Sequence, residues 1–132
     1  MATEPLNQLV ETHLGDFVRQ RGLILCADGD QTSSFGAAVT LTSDEFRVTV
    51  SRDRGQYSIW VGIPNSQKSH WPLGHLVAFL LGEPDPRGVC DLETECDWLV
   101  TFADRVFDRD LLFSKGLSKW ATAASRRMFG QT

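Results

Sequence analysis

Between Phe46 and Ile63 apolar and polar residues alternate with a period of two. Phe46, Val48 and Val50 share one face of a strand, and Arg47, Thr49 and Ser51 share the other. After Arg52-Asp53-Arg54-Gly55 the pattern resumes, with Tyr57, Ile59, Val61 and Ile63 on one face and Ser58, Trp60 and Gly62 on the other. Two strands joined by a short charged turn predict an antiparallel hairpin with one covered face and one partly wet face. Gly55 suits a turn position of positive φ. The run Phe35–Thr42, with Ala37, Val39 and Leu41 in phase, predicts a preceding strand, and the short apolar run Leu23–Ala27 another. Asp28 to Ser34 reads as a loop by composition.

The period changes to that of a helix on both sides of these strands. Leu6, Leu9, Val10, Leu14, Phe17 and Val18 predict a helix from about Glu4 to Gln20, with Thr3 as N-cap, Pro5 in the first turn and Gly22 at the exit. Pro64 to Ser69 reads as a surface loop. A helix then enters at Ser69 or His70, carries Pro72 in its first turn and stops at Gly82; it is apolar on nearly every face and should be buried. Asp91 starts a helix with a Leu92, Cys96, Leu99, Phe102, Ala103, Val106, Phe107 stripe. The pattern resets around Asp108–Asp110. A last helix carries Leu117, Trp120, Ala121, Ala124 and Met128, capped by Ser114 or Asp110, with Phe129 near its end and Gly130 at its stop. The expectation is a single α+β domain over residues 1–132. It has an antiparallel meander of about four strands, an N-terminal helix, and two to three C-terminal helices packed on one face.

Composition adds constraints rather than chemistry. At 132 residues the chain can bury a core without staples. The longest apolar run, Leu76–Leu81, is too short to span a bilayer, and no basic region followed by an apolar one marks a secretory signal near Met1. Cys26, Cys90 and Cys96 are odd in number and form no C-x-x-C pair, which predicts free thiols in a reducing cytoplasm. The net charge of −4 is unevenly spread: residues 83–110 carry nine acids and three bases, and residues 111–132 carry four bases and no acid. Acids at helix starts and bases at helix ends account for part of this; an acidic patch facing a partner is the rival account.

Familiar catalytic and metal patterns are absent from the sequence. His70 and His75, and Cys90 and Cys96, have spacings that do not bring two zinc ligands together. Asp28-Gly29-Asp30 does not continue as a calcium loop. Neither G-x-S-x-G nor a phosphate-binding glycine loop occurs. No cofactor, metal or catalytic residue is therefore assigned. The wet strand face brings together Arg47 and Trp60, residue types enriched at binding hot spots. An aromatic and an arginine on a sheet can also serve nucleic acid, but the RNA-binding pattern needs several aromatics with basic flanks, and this chain is acidic. Arg52 and Arg54 beside Asp53 form either an ordinary turn or a fork for a carboxylate or phosphate. Asp91, Glu93, Glu95 and Asp97 form the acidic candidate.

The run Phe46–Tyr57, the Trp71-Pro72-Leu73 helix and the terminal Arg126-Arg127-Met128-Phe129-Gly130 resemble small bacterial immunity-type proteins found beside polymorphic toxins. That resemblance implies a cytoplasmic, non-catalytic protein that neutralises a toxin by occlusion. A toxin acting on nucleic acid has a basic groove, which the four acids from Asp91 to Asp97 can meet. The alternative expectation is a small-molecule-binding protein or small enzyme with a pocket between the sheet and the 71–81 helix, near Trp60, His70, His75 or Cys90. An exposed sheet edge allows a homodimer without requiring one.

Overall fold

A computed structural model describes residues 5–32, 36–88 and 90–128, with the side chains of 26–32, 67 and 68 left aside. Thr3, Phe35, Phe129 and Gly130, assigned above to caps and ends, lie outside the described residues. The order is α1 (Leu6–Arg21), β1 (Ile24–Thr32), β2 (Gly36–Thr42), β3 (Arg47–Asp53), β4 (Gln56–Ile63), β5 (Ser66–Pro72), α2 (Leu73–Leu80), α3 (Leu92–Val106), α4 (Arg109–Leu112) and α5 (Lys115–Met128). The five strands form one antiparallel meander in sequence order. The expected α+β architecture is present, with one strand more than anticipated.

The register turns alternation into rows. Leu41, Val48, Val61 and Trp71 face one another across four strands on one side, beside Val39, Val50 and Ile59. Thr40, Thr49, Trp60 and Pro72 form a row on the other side, flanked by Ala38, Ser51 and Ser58 and by Thr42, Arg47 and Gly62. The apolar rows meet Leu6, Val10, Leu14 and Phe17 of α1, Leu73, Leu76 and Val77 of α2, and Leu92, Cys96, Leu99, Ala103 and Val106 of α3. Leu76, Leu99, Val48 and Val61 are fully buried, each contributing on the order of 2 kcal/mol of apolar transfer. The helices thus cover one face of the sheet.

Helix boundaries have local causes. Gly22 adopts φ 67°, and the N–H groups of Gly22 and Leu23 bond the carbonyls of Arg19 and Val18, closing α1 in a Schellman turn. Pro5 is the N-cap of α1 rather than a first-turn residue. The Asp91 carboxylate caps α3 through Thr94 N at 2.7 Å, Asp108 caps α4, and Ser114 Oγ accepts from Leu117 N at the start of α5.

Three expectations are corrected. Residues 66–72 are neither loop nor helix but the edge strand β5. Pro64-Asn65, with Asn65 at φ 66°, makes the tight turn that starts it. The fully buried Ser69 replaces an apolar residue on β5: its Oγ accepts from Ile63 N and donates to Ser66 O, both at 3.1 Å, across a break in register. The 69–82 helix accordingly begins at Leu73, with Pro72 as its N-cap. At the other edge, Asp28 to Thr32 extend β1 past an irregularity between Leu25 and Asp30 instead of forming a loop.

The β3–β4 turn has positive φ at both Arg54 (55°) and Gly55 (81°), the geometry of a type I′ hairpin. Arginine is costly there because its Cβ crowds the backbone, and its ion pair with Asp53, 3.9 Å long between exposed side chains, contributes little. Arg54→Asn should therefore raise unfolding stability by about 0.5–1 kcal/mol. Urea denaturation of the two proteins measures the difference, and a less stable variant would contradict the turn assignment.

Candidate functional site

The sheet face opposite the helices presents small and polar side chains with one large exception. Trp60 lies in its centre and is 39% exposed. The other three tryptophans are engaged with the fold: Trp71 Nε1 donates to Leu112 O, Trp120 Nε1 donates to Glu83 O, and the Arg87 guanidinium lies 5.4 Å above Trp98. Trp60, Arg47, Thr49, Ser51 and His70 line a shallow hollow of about 360 Å³ built from three adjacent strands. Strand alternation places Arg47, Thr49 and Ser51 on one face of β3, and the register brings Trp60 beside Thr49.

Gly62 makes the hollow possible. Its missing side chain leaves the space that the His70 ring fills; a Cβ there would overlap the ring. His70 Nε2 is buried without a hydrogen-bond partner. Burial, and secondarily the Arg47 charge, push the His70 pKa below its ordinary value, so the ring is neutral near pH 7. Ser51 Oγ and Ser58 Oγ share a 2.7 Å hydrogen bond. Among the described residues no base contacts either hydroxyl. Arg47 is half-buried, and its side chain makes no hydrogen bond or ion pair with a described residue. That contrasts with Arg19, Arg21, Arg87 and Arg127, each of which has a carboxylate partner.

The remaining sequence candidates are dispersed. Arg52 lies on the helix side of β3, opposite Tyr57. Asp53 and Arg54 lie at the hairpin tip, six and seven residues from Arg47. The two sides of the Arg52–Asp53–Arg54 fork are thus split: Asp53 is in phase with Arg47 but at the far end of β3, and Arg52 is on the opposite face. The four acids do not form one patch either. Asp91 is occupied as a helix cap, which lowers its pKa, and Glu93 and Asp97 are exposed. Glu95 is 2% exposed and points inward.

Glu95 carries the most unusual electrostatics. β5 leaves β4 at Pro72, opposite Trp60, and the chain returns to β4 only at Cys90, which bridges Tyr57. Between them Glu95 Oε1 accepts from Ile59 N at 3.1 Å, and the Cys90 backbone also bonds the carboxylate. The side chain thus fills a gap in the sheet edge. Burial pushes its pKa up to about 7, with the two backbone bonds opposing that rise. The sequence held a signal for this inward position: Glu95 lies three residues after Leu92 and four before Leu99, on the apolar stripe.

The space between the sheet and α2 is packed by Leu73, Leu76, Val77 and Ala78, all fully buried. His75 on α2 is half-buried, meets Trp120 edge-on at 6.0 Å, and has its pKa lowered by burial. The polar hollow thus lies on the opposite face from the pocket anticipated between sheet and helix. Burial, together with the Glu95 and Asp91 charges, raises the Cys90 thiol pKa; Cys90 and Cys96 are both free thiols. Among the described residues no three His, Cys, Asp or Glu side chains could hold a metal ion, and no helix is long and apolar enough to cross a membrane.

A larger cleft of about 590 Å³ opens between the end of α1, the β2–β3 turn and Phe107. Its cation, Arg21, is already bound to Asp104 at 2.6 Å and lies 5.7 Å from both the Phe17 and Phe107 rings. No protein-family model, curated protein or solved structure matches the chain.

Proposed function

We propose that this chain is a non-catalytic protein-binding module that docks its partner on the open sheet face, most concretely an immunity-type protein that neutralises a bacterial toxin by occlusion. The observation that carries the reading is the pairing of exposed Trp60 with half-buried Arg47, which has no acid partner among the described residues, on a rigid sheet. A tryptophan costs little conformational entropy to immobilise, and an arginine beside it adds directional donors. Both are held by strands whose opposite faces are locked in the core, so the surface is preorganised. The free Cys90 and Cys96 thiols fit a cytoplasmic setting.

The partner surface here differs from the acidic one anticipated in the sequence. Burial of Glu95 and the capping role of Asp91 leave only Glu93 and Asp97 of that cluster free to face a toxin.

The test is co-expression with a toxin encoded beside this chain's gene, followed by affinity measurement on the purified complex. Trp60→Ala should weaken the complex at least about tenfold while leaving folding intact. Unchanged affinity in Trp60→Ala, with loss in a Glu93/Asp97 double substitution, would move the interface to α3.

A further inference from the structure

The geometry points to the hollow between Arg47, Trp60 and His70 as the seat of an acidic side chain, Asp or Glu, carried by the protein partner. This rests on the docking face proposed above and adds the chemistry of what enters it. Three observations converge. The hollow has one guanidinium and no acid among its five lining residues. Arg47 is half-buried as a residue and has no acid partner among the described residues, so an unmet counter-charge costs more there than it would for exposed Arg126. Beside it stand the Thr49 and Ser51 hydroxyls, together with the Trp60 indole, against which the aliphatic stem of a carboxylate side chain can pack.

The charge count selects a carboxylate over a phosphate. A single arginine fork matches one planar monoanion in bidentate geometry. A phosphate would bring more charge than this face neutralises, since His70 is neutral and adds no second cation. A cationic side chain is excluded by repulsion from Arg47. The small volume, about 360 Å³ and open to solvent, suits one side chain entering from above.

His70 supplies a reporter specific to this site, because Arg47 helps to hold its imidazolium down. An anion seated on Arg47 cancels that repulsion and should raise the His70 pKa. The experiment is an NMR titration of His70 and the Trp60 indole in the full chain with sodium acetate, at ionic strength held constant with chloride. Inorganic phosphate is run in parallel. Acetate should shift both signals saturably and raise the His70 pKa. Arg47→Gln should weaken that response at least about fivefold, and Arg47→Lys should retain part of it.

A response that persists unchanged in Arg47→Gln, no response in the folded wild type, or a stronger response to phosphate would overturn the assignment. Circular dichroism and the dispersed amide spectrum establish that each variant is folded. The two readings fail separately: Trp60→Ala weakening the toxin complex alongside a silent acetate titration would keep the docking face and remove the carboxylate.

Discussion

Between pH 5 and pH 8 Glu95 should cost this protein about 2.5 kcal/mol of unfolding free energy, and Glu95→Gln should remove that loss. The carboxyl is raised from an ordinary 4.5 to about 7 because it is buried without a cation. In the unfolded chain it ionises near 4.5. In the folded chain it keeps its proton until about 7. Across that window the folded state binds more protons, so stability falls as pH rises. The contribution is fully present below the unfolded value and is lost once the pH has passed the folded one.

Other groups oppose this trend. His70 and His75 are held neutral by burial, so the unfolded chain binds more protons near their ordinary 6.5 and stability rises with pH there. The informative quantity is therefore the difference between the wild-type and Glu95→Gln stability curves, measured by urea denaturation at several pH values. Glutamine keeps one acceptor for Ile59 N and cannot titrate. A difference that is flat with pH would refute the buried-acid account. Glu95→Ala removes both acceptors and should cost about 2–4 kcal/mol near pH 5, where ionisation plays little part.

Glu95 also marks how far the sequence could be read. Elements whose faces are apolar were legible, because burial and period coincide: α1, the β3–β4 hairpin, α3 and α5 lie where the pattern puts them. β5 was not, because Ser66, Gln67, Lys68, Ser69 and His70 contain no apolar residue. Its inward position is held by Ser69 hydrogen bonds, which periodicity does not register. The Pro64-Asn65 pair was the available signal for the turn.

The candidate site was half legible. Arg47 and Trp60 fall on the same face by alternation alone. His70 joins them only through β5, and the pairing with Gly62 depends on which strand lies beside β4. The acidic cluster failed for the opposite reason: four acids adjacent in sequence are distributed around a helix, and one of them faces the core.

Gly62→Ala should disrupt both the fold's edge and the site. A Cβ at residue 62 would occupy the His70 ring position. Gly62 is itself buried near the turn end of β4, at the register irregularity between Val61 and Ile63, and the adjacent Ile63–Ser69 bond resists movement of the backbone. The ring must instead rotate out across the hollow, toward Arg47. That exposes a half-buried aromatic surface and forces a poorer rotamer, at a cost of about 1–3 kcal/mol. It also closes the hollow and moves the imidazole relative to Arg47, so the His70 pKa should change and the acetate response should vanish.

The double variant Gly62→Ala/His70→Ala separates the two effects. It removes the clashing ring, so most of the lost stability should return while the site stays incomplete. Thermal unfolding of the wild type, the single variants and the double variant tests this directly. Recovery in the double variant identifies the ring as the source of strain. A double variant as unstable as Gly62→Ala would place the glycine requirement in the strand backbone instead, and the His70 position would then be a consequence of β5 pairing rather than of the space Gly62 leaves.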